Sequence, residues 1–279
     1  MKNIKKKFYK AKNDQVFKSI FCKKGNQDLL EAFIEDALKR KVKILKLFPP
    51  ELTKNNIYVK GKTLDVLIEV DKEIINLELN SSYYNHLNRR NASYIFSKYT
   101  EDPKVGKNYS EMKNYIQMNF TSGLPKDKPI KSEYVLADLE TKDKFIDNLT
   151  IYEYNIDKIK DLYKNGNNEY KFIAALDCDK RELEQICKGN KIMEKFKDEV
   201  NDLNEDITFT QYMTDEEDTE ILINTLMSEA KEEGKDEGIQ IGSSMKSFEI
   251  AKNLLNNNID VDTIAECTGL TKEEIEGLK

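Results

Sequence analysis

Two acidic residues, Asp65 and Glu78, lie in runs of alternating character, Thr63–Val70 and Glu73–Asn80, separated only by Asp71–Lys72. If Asp71–Lys72 is a two-residue turn, Val70 pairs with Glu73. Leu64 then faces Leu79, Val66 faces Leu77 and Ile68 faces Ile75, giving one apolar face, as a half-buried hairpin requires. The opposite face pairs Thr63 with Asn80, Leu67 with Asn76 and Asp65 with Glu78. Two carboxylates thus stand opposite each other, with Cβ atoms about 5 Å apart, and like charges across a ladder repel. A divalent cation between them relieves that repulsion. Mg²⁺ commonly takes one or two carboxylates, keeps several waters and accepts phosphate oxygens. The competing reading is an exposed strand face carrying ordinary acids.

The elements around this hairpin follow from periodicity. Asn13–Phe21 and Asp28–Leu38 read as amphipathic helices, with Asp28 as the N-cap of the second. Val42–Phe48 reads as a short strand closed by Pro49–Pro50, Asn88–Tyr99 as a helix and Tyr115–Phe120 as a strand. Tyr134–Glu140 and Leu149–Ile156 suggest a second hairpin, and the pattern from Lys180 onward is helical and acidic. Helix, strand, hairpin, helix, strand is an α/β order, with helices packed on a mixed sheet. A change of composition near Thr210–Asp218 divides the chain into residues 1–212 and 213–279. In the second part Gly234, Gly238 and Gly242 mark a weak, solvated helix or linker, because each internal glycine costs about 1 kcal/mol relative to alanine.

The 279 residues, 39% of them hydrophobic, can bury a full core. No run approaches the roughly 18–20 apolar residues of a membrane span, and Met1–Lys12 lacks the apolar stretch of a secretory signal. The cysteines Cys22, Cys178, Cys187 and Cys267 form no C-x-x-C pair, which suits reduced thiols in a cytoplasm. The net charge of −6 hides an asymmetry. Residues 1–62 hold 17 Lys and Arg against 6 Asp and Glu. A basic lobe of this kind attracts polyanions through phosphate contacts; the alternative is a solvated lysine-rich surface.

Asp65 followed by Glu78-Leu79-Asn80 resembles the D…(D/E)-x-K signature of the PD-(D/E)XK nucleases, and within them the recombination-promoting nuclease (Rpn) and transposase branch. The order of motifs along nearly the whole chain carries the resemblance. A D-x-x-F-K-x-x-F helix is matched by Asp14, Phe17, Lys18 and Phe21, and an R-x-x-x-Y helix by Arg90 and Tyr94. Tyr115–Phe120, the glycine-punctuated Glu232–Gly242 and the helical Phe248–Leu278 follow in the family's order. The resemblance implies a restriction-endonuclease-like core and hydrolysis of DNA phosphodiesters with Mg²⁺ or Mn²⁺. It implies a link to mobile elements, recombination or genome defence. Asp65 and Glu78 would hold the metal, joined by an acid from an early helix, for which Glu31 and Asp14 are both candidates. The chain departs from the family at Asn80, where lysine or glutamine is usual. Asparagine can only hydrogen-bond, so Arg90, on one helical face with Tyr94, is the candidate for the missing charge. His86 lies one turn further back. The alternative is a catalytically weakened fold that binds DNA or a protein.

Phe248–Leu278 resembles a helix-turn-helix, with a turn at Gly269 and a capping box at Thr271 and Glu274. Its last helix, Lys272–Lys279, carries three glutamates against two lysines, and phosphate repels such a surface. The unit therefore reads as an interaction or homo-oligomerisation module, with DNA reading by the helix-turn-helix as the alternative.

Overall fold

The computed structural model describes residues 7–48, 65–101 and 108–278. The chain divides into two compact units, Met1–Thr210 and Gln211–Lys279.

In the first unit, helices α1 (Asp14–Phe21) and α2 (Gln27–Leu38) lead into the short strand β1 (Lys46–Leu47). The hairpin β2 (Val66–Val70) and β3 (Glu73–Asn80) follows, then α3 (Leu87–Glu101) and β4 (Asn114–Thr121). Strands β5 (Lys131–Tyr134) and β6 (Leu149–Asn155) precede α4 (Ile156–Lys164), α5 (Lys171–Ala175), α6 (Lys180–Cys187) and α7 (Lys191–Glu205). The described strands form one mixed sheet in the order β1-β2-β3-β4-β6-β5, with β3, β4 and β6 parallel. The expected α/β architecture is observed.

The hairpin keeps the register read from the sequence, Val70 opposite Glu73 and Val66 opposite Leu77. Asp71 takes a positive φ of 45°, a backbone region that Asp enters more readily than most residues. The pairs of Thr63 and Leu64 lie outside the described residues, and Asp65 directly precedes β2. The expectation of a half-buried hairpin is corrected, because both faces are covered. Phe17, Phe21, Phe33, Phe172 and Phe196 form a connected aromatic core on one side of the sheet, reaching it where Phe33 lies 4.8 Å from Phe120. On the other side Ile95 of α3 packs with Leu67, Ile74, Tyr115 and Leu149.

Other expectations shift at element ends. The N-cap of α2 is Asn26, and Asp28 lies in the first turn, where its carboxylate favours the positive end of the helix. Of Val42–Phe48 only Lys46–Leu47 joins the sheet, although Val42 and Ile44 are buried. The second hairpin forms, but its first strand is Lys131–Tyr134 instead of Tyr134–Glu140. Helical structure also begins before Lys180, in α4 and α5.

In the second unit, α8 (Ile207–Asn256, which starts four residues before the unit does) continues through Gly234, Gly238 and Gly242. Helices α9 (Val261–Thr268) and α10 (Lys272–Glu276) follow. Ala251, Ile264 and Ile275 make a small core with Leu254, Leu255 and Val261. Gly269 turns the chain at φ 71°, and Thr271 and Glu274 form the expected capping box.

Candidate active site

One face of the sheet carries Asp65 and Leu67 at β2, Asn76, Glu78 and Asn80 on β3, Gln117, Asn119 and Thr121 on β4, and Glu153 on β6. Strand alternation and the observed pairing put them there together. Helix α3 covers the apolar part of this face and leaves the polar band toward the C-terminal ends of the parallel strands. Asp65 is 6% exposed, Glu78 1% and Asn80 4%, so this chemistry is buried.

Glu78 accepts a hydrogen bond from Asn76 Nδ2 at 3.0 Å and another from the backbone N–H of Asp65. Asn76 Nδ2 also donates to Gln117 Oε1 at 2.8 Å. Gln117 Nε2 donates to Asn119 Oδ1 at 2.8 Å, and Asn119 Nδ2 to Glu153 Oε2 at 3.1 Å. An unbroken line of side-chain amides therefore joins Glu78 to Glu153 across three strands. Such a network fixes rotamers, because every broken link leaves a buried group unsatisfied.

Asp65 accepts from the backbone N–H of Leu79 through Oδ2 at 2.7 Å, and its Oδ1 lies 2.9 Å from Lys18 Nζ. Lys18 Nζ is also 2.9 Å from Asp14 Oδ2, one helical turn back. Burial, then the Asp14 carboxylate, pushes the Asp65 pKa up, against the pull of Lys18. Burial, then the Asp65 carboxylate, pushes Glu78 up as well, against Asn76 and Arg90. Desolvation works against the charge on Lys18, but Asp65 and Asp14 outweigh it and hold its pKa above the ordinary lysine value.

Arg90 and Tyr94 enter from α3. Arg90 Nη2 donates to Asn80 Oδ1 at 2.7 Å, and its guanidinium lies 5.8 Å from the Tyr94 ring centroid and 5.9 Å from that of Tyr84. Asn80 Nδ2 donates to Thr121 Oγ1 at 3.0 Å. His86 is exposed at a positive φ of 74°, just before the helix.

Asp14, Asp65, Glu78, Asn80, Arg90 and Tyr94 are thus brought to one neighbourhood. Glu31 is held elsewhere. Its Oε1 accepts from the backbone N–H of Ile44 at 2.9 Å and lies 3.3 Å from Lys43 Nζ, so it ties down the segment before β1. Sequence reasoning gave no role to Lys18, though its spacing of four from Asp14 predicts their ion pair. It also gave none to the amide line, for which the polar positions inside the apolar strand Asn114–Thr121 were the visible signal.

Among the described residues no group of three or more His, Cys, Asp or Glu side chains is close enough to hold a metal unaided. The donor set still suits a hard divalent ion. Asp65 and Glu78 repel each other, Asp14 Oδ1 is buried without a hydrogen-bond partner, and an ammonium already sits between Asp14 and Asp65.

A family model described as PD-(D/E)XK nuclease family transposase matches residues 11–217. The chain belongs to this family. A second model, the Rpn/YhgA-like nuclease family C-terminal HTH domain, matches residues 245–279. The nuclease-family match contains the sheet and the polar band, and the HTH match contains α9 and α10. No curated protein and no solved structure matches the chain. No described helix of this nuclease-family protein is long and apolar enough to cross a membrane.

Proposed function

We propose that the first unit is a divalent-metal-dependent endonuclease that hydrolyses DNA phosphodiesters, with Asp65 and Glu78 as the metal-holding pair. The observation that carries this reading is two mutually repelling carboxylates, 6% and 1% exposed, on the sheet of a nuclease-family domain. Asp14 is the early-helix acid, because it shares Lys18 with Asp65 while Glu31 is committed elsewhere. Mg²⁺ or Mn²⁺ bound here would supply an activated water and offset charge developing at the phosphorus. Asn76 and the amide line hold the rotamer of Glu78, and the Leu79 N–H holds that of Asp65. Asn80 brackets Arg90 against β3, leaving the guanidinium to face a phosphate. Tyr94 lies beside that guanidinium and restricts it.

The C-terminal unit is an interaction module in this reading. Its last helix, α10, presents Glu273, Glu274 and Glu276 against Lys272, a poor surface for a phosphate backbone.

The test is nicking of supercoiled plasmid by the full chain with Mg²⁺, Mn²⁺ or EDTA, beside Asp65→Ala. Cleavage should require the ion and fall at least 100-fold in the variant, with an unchanged circular dichroism spectrum. Cleavage in EDTA, or an Asp65→Ala variant as fast as wild type, would sink the assignment. Asn80 favours one second reading, a fold that binds DNA without cutting it; DNA binding with no nicking in any metal would select that.

A further inference from the structure

Lys18 is the residue of this neighbourhood whose geometry the proposed reaction does not use. It rises from α1, and its ammonium lies 2.9 Å from an oxygen of Asp14 and 2.9 Å from an oxygen of Asp65. Its side chain is 23% exposed, and the Asp65 side chain 9%. An ion pair this far out of water is screened weakly, so the Lys18–Asp65 contact is stronger than an exposed surface pair. The two carboxylates come from different segments, one from α1 and one from the approach to β2. Nothing else among the described charged groups stands so close to both. Cys22, one turn further along, donates its thiol to the Asp65 backbone carbonyl, and burial raises its pKa, so it adds no thiolate there.

A positive charge held between two acids sits where a metal ion would be drawn. Two cations cannot share those oxygens at contact distance without strong repulsion. We propose that Lys18 is a tethered cation that occupies the Asp14 and Asp65 carboxylates in the metal-free protein, and that divalent ions enter the site by exchanging with it. This inference rests on the reading of Asp65 as a metal ligand. The ammonium keeps the carboxylates together and partly neutralised while no ion is bound, which spares the sheet an uncompensated buried charge. The same contact weakens metal binding, because the ion must displace it. Lys18 is on this account a positioning residue, acting through Asp14 and Asp65.

The experiment is calorimetric titration of the full chain with Mn²⁺ alone, comparing wild type, Lys18→Met and Lys18→Arg, with thermal melts as the check on folding. Lys18→Met should bind Mn²⁺ at least tenfold more tightly than wild type, and Lys18→Arg, which keeps the charge, should stay within about threefold of it. Should Lys18→Met fail to melt cooperatively, Lys18→Gln takes its place under the same expectation. Equal or weaker Mn²⁺ binding by the folded neutral variant overturns the inference. Activity separates this from the proposed function. Mn²⁺ binding that obeys these expectations in a protein that never nicks DNA removes the nuclease reading and leaves Lys18 as assigned. Mn²⁺ binding by neither protein removes both.

Discussion

Replacing Glu78 with glutamine probes the electrostatics of the site without any substrate. Glu78→Gln keeps the shape and removes the ionisable group. Burial and the neighbouring Asp65 carboxylate raise the pKa of Glu78, so the folded protein holds that proton more tightly than the unfolded chain does. The sign follows from linkage. A raised acid contributes stability that is fully present below its unfolded pKa and is lost as pH climbs through the raised folded value. Metal-free wild type should therefore lose stability above about pH 5, and the variant should not lose this part. Full burial moves carboxyls by up to about 3–5 units, each unit being worth about 1.4 kcal/mol. Two hydrogen bonds and Arg90 oppose the shift, and the pKa still stands at about 8, a difference from the ordinary value worth roughly 5 kcal/mol. The glutamine NH₂ cannot accept the hydrogen bonds that Asn76 and the Asp65 N–H make to the carboxylate, which costs about 1 kcal/mol. The net gain at pH 9 is about 4 kcal/mol, or about 8–16 °C in Tm for a unit of this size. The assay is scanning calorimetry in EDTA at pH 5 and pH 9. At pH 5 the variant should be equal or slightly less stable. A gap of the same size at both pH values, or a wild type that is the more stable at pH 9, would refute the reasoning.

Glu153 offers a second pH test away from Asp65: burial pushes its pKa up to about 7, so its stabilising contribution is lost between about pH 5 and pH 7. Glu153→Gln should flatten the fall in Tm between about pH 5 and pH 7, measured by the same melts, and an unchanged slope would remove the residue from that account. Arg90→Gln takes away the guanidinium bound to Asn80, and single-turnover nicking at saturating Mn²⁺ should slow about 10–100-fold, in line with losing one positioned donor. A rate within a factor of two of wild type would limit Arg90 to packing.

The hairpin was legible because three local signals agree: alternation in both runs, a two-residue turn, and an Asp at the position that takes positive φ. The second hairpin was legible only in part. Tyr134–Glu140 looks more strand-like than Lys131–Tyr134, but β5 is an edge strand whose place is set by pairing with β6, which no local pattern encodes. The covered second face was not legible at all. Alternation marks Asn76, Glu78, Gln117 and Asn119 as exposed, because polarity ordinarily reports contact with water. Here the polar groups answer one another across the sheet, and only the pairing of three strands shows it.

That Asp65 and Glu78 share one face could be read from register, whereas which of Asp14 and Glu31 lies beside them could not. Both acids lie on early helices with suitable spacing, and what separates them is the N–H of Ile44 and the ammonium of Lys18, long-range partners in each case. The basic lobe teaches the same lesson about charge. Among the described residues part of its surplus is met by acids far along the chain: Lys10 and Lys12 both pair with Asp177, Lys23 with Glu199 and Arg40 with Glu73. Lys39, Lys41 and Lys43 find Asp36, Glu35 and Glu31 nearer by. Exposed pairs of this kind contribute about 0–1 kcal/mol each to stability, and they weaken the local field that would draw in a polyanion. Of the basic side chains named here, Arg90 meets the site through a neutral amide instead of a carboxylate, which keeps its charge available to a phosphate. Attraction of DNA to the polar band should therefore draw on α3 as well as on the basic surplus ahead of the sheet.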